Sequence, residues 1–172
     1  MTPAAVTAWV EADRARDLAV MREQLADDAR LISPLTDGFD FRGADEVMAV
    51  MAAAFELLDD IAIRRVTGTD RDFALHGTAT LRGANLEEIQ WLHVSEDGLI
   101  DEITLFVRPM PAAVALLAAI GPGLARRGVL GRAGAVASRA AAPLAMITRA
   151  VESRLMPRLR RGRSQDHSWA GR

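Results

Sequence analysis

The chain has 172 residues, half of them hydrophobic and 26% charged, which is enough for one domain with a core plus an appendage and ordinary for a globular protein. It contains no Cys, no Lys and no Tyr, which removes disulfide and thiolate chemistry, a phosphate-loop lysine or Schiff base, and a phenol acting as acid or oxyanion donor. The net charge of -2 hides an asymmetry: residues 1–110 hold 10 Arg against 21 acids and residues 111–172 hold 11 Arg against 2, so an acidic globule carries a basic tail.

From Pro3 to about Leu25, Val6, Trp9, Val10, Leu18, Met21 and Leu25 recur at helical spacing. Thr2 is the expected N-cap, Pro3 the first helical residue, and Arg16-Asp17 a break. The next segment, 29–35, has strand character and stops at Ser33-Pro34, and a turn follows through Thr36-Asp37-Gly38. Asp45 to about Leu58 reads as a second helix with Val47, Met48, Met51, Phe55 and Leu58 inward. Four strands are then expected: 61–67, 72–82, 86–95 and 99–108, the last two joined by the turn Glu96-Asp97-Gly98. Beyond Pro109, a helix over 112–127 is expected to be interrupted at Gly121-Pro122-Gly123. A basic amphipathic segment follows, with Leu144, Ile147, Val151, Leu155 and Leu159 on one face.

The alternation of the strands sorts the candidate site residues. Gln90 falls on an inward position, where a buried amide demands partners. Glu88 shares that face and is the candidate acid or base, set against a solvated place at the sheet edge. His76, His93, Trp91, Thr104 and Phe106 fall on the opposite, outer face, and Trp91, His93 and Phe106 are the expected contacts of a homodimer. The pair Asp37 and Asp40 fits turn chemistry better than catalysis. With no Cys and no two His at ligand spacing, neither a metal nor a cofactor is expected. Nucleic acid is not an expected partner, since the globule is acidic and the tail has few aromatics. The N-terminal residues lack the basic and apolar runs of a signal peptide, which makes a cytoplasmic location the expectation.

The order helix, strand, turn, helix and antiparallel meander, with Leu25-Ala-Asp-Asp-Ala-Arg-Leu-Ile-Ser-Pro34, Phe41-Arg-Gly43 and the segment from Ile89 to Val107, resembles the nuclear transport factor two-like superfamily in its SnoaL-like and ketosteroid-isomerase-like branch. The resemblance implies an α+β fold: a cone of curved antiparallel sheet wrapped around N-terminal helices, whose mouth takes a small apolar molecule. The resemblance covers roughly residues 4–110 and gives a cone domain over 1–110; outside it, the residues themselves lead to the expectation of an Ala- and Arg-rich helical extension over 111–163 and a disordered tail over 164–172. Laid onto the isomerase pattern, the general-base position holds Ser33, and the two oxyanion-donor positions hold Trp9 and Gln90, so the isomerase catalytic set is missing.

Three functions are therefore open. The first is a protein binding a small apolar molecule through Gln90, Trp9, Ser33, Met51 and Phe55. The second is a SnoaL-like isomerase, cyclase or hydratase, which needs a carboxylate inside the cavity beside a polar partner. The third is a dimerisation module whose basic helix works at a membrane surface or a protein partner.

Overall fold

The computed structural model describes residues 2–159, so Arg160, Arg161 and the expected tail over 164–172 lie outside the described residues. Helix α1 spans Ala4–Ala15 and α2 spans Leu18–Glu23. The break between them falls where the sequence places it. Arg16 takes a left-handed conformation with φ 56°, and the Asp17 carboxylate accepts from the backbone N–H groups of Ala19 and Val20. The expected Thr2 cap is not the one used: Pro3 occupies the N-cap position, extended and without a side-chain hydrogen bond, and Ala4 is the first helical residue.

A six-stranded curved sheet follows, built from β1 (Leu25–Ile32), β2 (Phe41–Arg42), β3 (Leu58–Thr69), β4 (Asp72–Leu81), β5 (Ala84–Val94) and β6 (Ile100–Arg108) in the order β2-β1-β6-β5-β4-β3. Strands β3 to β6 form an antiparallel meander. The sheet is not antiparallel throughout, because β1 joins β6 in parallel. These two strands are joined through a helix and four intervening strands, so no tight hairpin fixes their relative direction. Helix α3 (Ala44–Phe55) crosses between β2 and β3, and Leu58, expected at the end of this helix, instead opens β3. Inward residues of alternating strand positions, among them Phe73, Leu75, Leu81, Leu86, Leu92 and Ile103, meet Val6, Trp9, Val47 and Met51 of the helices in one core.

The C-terminal extension begins with α4 (Met110–Arg126), whose Ala112, Leu116, Ile120 and Leu124 are buried in the same core. Gly121-Pro122-Gly123 does not interrupt it. Helix α5 (Arg132–Arg139) packs so closely on α4 that a Cβ at Gly121 would lie 1.9 Å from the Ser138 hydroxyl. The glycine serves helix contact here, a use that local breaker statistics do not register. Gly121→Val is expected to force α5 away and to cost about 1–3 kcal/mol, the usual range for overpacking. An unchanged thermal unfolding midpoint would show that α5 does not dock this way.

Helix α6 (Ala142–Arg154) and the short α7 (Met156–Leu159) complete the described chain. The apolar side chains Leu144, Ile147, Val151 and Leu155 are exposed. Arg126 and Arg127 at the end of α4 both pair with Glu56 at the end of α3, tying the covering helix to the cone.

Candidate functional site

A cavity of about 100 Å3 opens between the inner sheet face, α3 and the covering helices α4 and α5. Met51, Phe55 and Val50 line it from α3, Ala79, Leu105 and Val107 from the sheet, and Leu116, Ile120 and Leu124 from α4. Only five lining residues have polar side chains: Asp13, Ser33, Thr36, Glu88 and Ser138. Three of these five make local hydrogen bonds. Ser33 Oγ accepts from the Leu35 N–H, Thr36 Oγ1 accepts from the Gly38 N–H, and the Ser138 hydroxyl donates to the Ala135 carbonyl. The ionisable groups of the cavity are Asp13 and Glu88.

Periodicity explains how these two carboxyls come together. Asp13 lies one helical turn after Trp9 on α1, hence on the same inward face, and Glu88 lies one pleat before Gln90 on β5. Trp9 is fully buried, and its indole N–H donates to Gln90 Oε1 at 2.9 Å. That bond fixes which way the amide faces. Gln90 Nε2 then donates to Asp13 Oδ2 at 2.8 Å and to Glu88 Oε1 at 2.9 Å, which uses both of its N–H groups. Gly77, opposite Glu88 in the register, leaves the space that the Glu88 side chain occupies, since a Cβ there would lie 3.0 Å from Glu88 Cγ.

The geometry divides the five expected ligand contacts. Trp9 and Gln90 do not line the cavity, and Gln90 has no donor left for a ligand carbonyl because both go to carboxylates. They form the support behind the wall. Ser33, Met51 and Phe55 do line the cavity. Glu88, for which a solvated place at the sheet edge is the favoured expectation, instead faces the cavity beside Gln90. Asp37 is exposed, Asp40 pairs with Arg30 and Arg42, and neither lines the cavity.

Asp13 was missed by the sequence reading. It is 1% exposed, and its Oδ1 has no hydrogen-bond partner. The signal available was its i+4 spacing from Trp9, on a helix otherwise read for its apolar stripe. Burial pushes the Asp13 carboxyl above its ordinary value, opposed by the Gln90 hydrogen bond and by the charges of Arg14 and Arg16. Burial likewise pushes Glu88 up, opposed by the Gln90 hydrogen bond and reinforced by the neighbouring charge of Asp13. Arg14 and Arg16 point elsewhere: Arg14 donates to the Ile63 carbonyl, and Arg16 donates to the carbonyls of Phe55 and Leu58. Chemically, the pair can donate a proton or hydrogen bond when protonated and accept one when ionised, at one end of an apolar chamber. Among the described residues no group of His, Asp or Glu is arranged to hold a metal ion, and no helix is long and apolar enough to cross a membrane.

The outer sheet face is polar and aromatic. Trp91 is 47% and Phe106 53% exposed, Trp91 Nε1 donates to Asp72, and His93 Nδ1 lies 2.7 Å from Asp101.

Comparison with known proteins agrees with this architecture. An uncharacterized protein with a cystatin-like fold from Silicibacter pomeroyi is 21% identical, with a TM-score of 0.69 over 81% of this chain and 95% of the other. At 81% the match cannot be confined to residues 1–110 and so takes in part of the C-terminal helices. A steroid delta-isomerase from Pseudomonas aeruginosa is 26% identical, with a TM-score of 0.67 over 74% of this chain and 93% of the other. No curated protein matches the sequence. A family model described as a SnoaL-like domain matches residues 6–103, more than half of the chain. The chain belongs to the SnoaL-like domain family.

Proposed function

We propose that the cavity binds a small, predominantly apolar molecule whose polar end rests against Asp13 and Glu88. The observation that carries this reading is the division of the lining: hydrocarbon almost throughout, with two carboxyls held at one place by the Gln90 bridge. A volume of about 100 Å3 lies on the scale at which a cavity of about 150 Å3 takes up benzene, so the occupant is compact. The steroid delta-isomerase among the structural neighbours is a protein of this fold named for an apolar substrate.

Native mass spectrometry of the protein purified from its own host tests the reading. A retained small molecule is expected, and it is expected to be lost from Ala79→Phe, which fills the chamber from β4. A retained molecule that survives this substitution would place binding elsewhere. The same spectrum reports subunit number, and a homodimer through the face carrying Trp91, His93 and Phe106 is the expected assembly.

A second reading is supported by Asp13 Oδ1, a buried acceptor without a partner, and by the upward displacement of both carboxyls. In it the pair transfers protons to and from the bound molecule, as an isomerase, cyclase or hydratase would require. The exposed apolar face of α6, with Leu144, Ile147 and Val151, and the arginines Arg149 and Arg154 elsewhere on that helix support a separate role in contact with a protein partner or an anionic membrane surface.

A further inference from the structure

The cavity presents two carboxyls and no cation. None of its lining residues is Arg or His, and the chain has no Lys. Gln90 satisfies one oxygen of each carboxyl and can do no more, which leaves Asp13, a residue of the cavity lining, with a buried Oδ1 that has no hydrogen-bond partner. The charged groups around Asp13 are Arg14 and Arg16 on its own helix and Glu88 across from it on β5. The two guanidinium groups are engaged by backbone carbonyls of β3 and the end of α3, and β4 places Gly77 and Ala79 against the cluster. From α4 and α5, the described lining contributes only apolar side chains, Gly121 and the Ser138 hydroxyl, which is already donating to Ala135. A buried carboxylate is costly unless something positive or hydrogen-donating meets it, and this protein supplies only one amide for two.

We propose that the cavity selects an organic cation: a small amine with a compact hydrocarbon body, its N–H groups directed at the Asp13 and Glu88 carboxylates. This inference rests on the binding reading given above and names the ligand class for it. An ammonium group has several donors and a full charge, so it meets both carboxyls at once, whereas a neutral alcohol or ketone meets at most one of them well. The hydrocarbon body fills the rest of the chamber, where Met51, Phe55, Leu105 and Leu116 offer no polar group.

The proposal fixes the sign of a pH dependence. The empty carboxyls hold protons above their ordinary range because they are desolvated. A bound cation favours the ionised forms, so amine binding releases protons and its affinity rises with pH through the carboxyl titration, up to the point where the amine itself deprotonates near about pH 10. A neutral ligand that accepts a hydrogen bond from a protonated carboxyl shows the reverse.

Isothermal titration of the full chain with cyclohexylamine, cyclohexanol and cyclohexanone over a range of pH separates these cases. The amine is expected to bind about tenfold to a hundredfold more tightly than the alcohol at neutral pH, the factor typical of hydrogen bonds to charged groups, and to tighten as pH rises from the acidic side. In Asp13→Asn/Glu88→Gln, which keeps an acceptor oxygen for Gln90 at each position, the preference for amine over alcohol is expected to collapse. The wild-type pH profile reads the same proposal without relying on the variant folding. Equal or tighter binding of the alcohol or ketone, weakening as pH rises, overturns the cation inference while leaving the cavity reading intact. Absence of binding by all three overturns both.

Discussion

Trp9→Ala is expected to destabilise the fold by about 3–5 kcal/mol, the range for removing a large aromatic side chain from a packed core. Two losses combine. Trp9 has no exposed surface, so its removal leaves a void between α1 and the sheet that the surrounding Leu and Ile side chains cannot fully close. The indole N–H also fixes the Gln90 amide, and without it the amide is free to rotate and present its oxygen to two carboxyls. Trp9→Phe keeps most of the volume and removes only the hydrogen bond, for an expected cost of about 1–2 kcal/mol. Chemical denaturation of the two variants beside the wild type checks both figures. A Trp9→Phe variant as stable as the wild type would show that packing alone matters at this position and that the indole N–H does not orient Gln90.

A second large effect is expected in the dependence of stability on pH. Asp13 and Glu88 both have folded-state values raised above those of the unfolded chain. The folded protein therefore holds more protons than the unfolded one once pH exceeds the ordinary carboxylate range. Stability is highest below that range and falls as pH rises through the folded values, by about 1.4 kcal/mol per pH unit for each extra proton held. Two surface carboxylates act in the opposite sense: Glu56 and Glu96, lowered chiefly by their Arg hydrogen bonds, favour the fold above the unfolded value and lose that contribution as pH falls. Asp13→Asn and Glu88→Gln are each expected to flatten the decline toward neutral pH and to raise the unfolding midpoint there. Thermal unfolding between about pH 4 and about pH 8 measures this, and variants that follow the wild-type curve would show that neither carboxyl is desolvated.

Much of the architecture is legible in the chain because it rests on periodic burial. Alternation at Phe73, Leu75, Ala79 and Leu81, and the turn at Glu96-Asp97-Gly98, specify β4 and the β5–β6 hairpin within a residue or two. Arg16-Asp17 marks the helix break through local capping. Gly121-Pro122-Gly123 misleads for a physical reason, because its first glycine is present for the approach of α5, a contact with residues more than ten positions away. The length of β3 is likewise obscured, since more than half of its residues are exposed and its apolar pattern covers only the middle.

The site is legible in a different way. Gln90 stands out because an amide at an inward strand position needs partners, and Glu88 follows from it by strand periodicity. What strand periodicity cannot supply is the partner from another element. Asp13 comes from α1, 77 residues away in the chain, and its meeting with Gln90 depends on how helix and sheet are packed. The same packing turns Gln90 from an expected ligand anchor into a positioning residue. The polar end of the cavity thus lies one helical turn beyond Trp9 and one pleat before Gln90, displaced from the two positions to which the isomerase pattern points.

Carbon-13 NMR titration of the Asp13 and Glu88 carboxyls, in the free protein and in the presence of excess cyclohexylamine, tests most directly whether an apolar chamber encloses this pair. Both are expected to titrate above the ordinary carboxylate range in the free protein and to move down when the amine is bound. Titration at ordinary values in the free protein would mean that both are solvated, and the cavity described here would not be the environment that they experience.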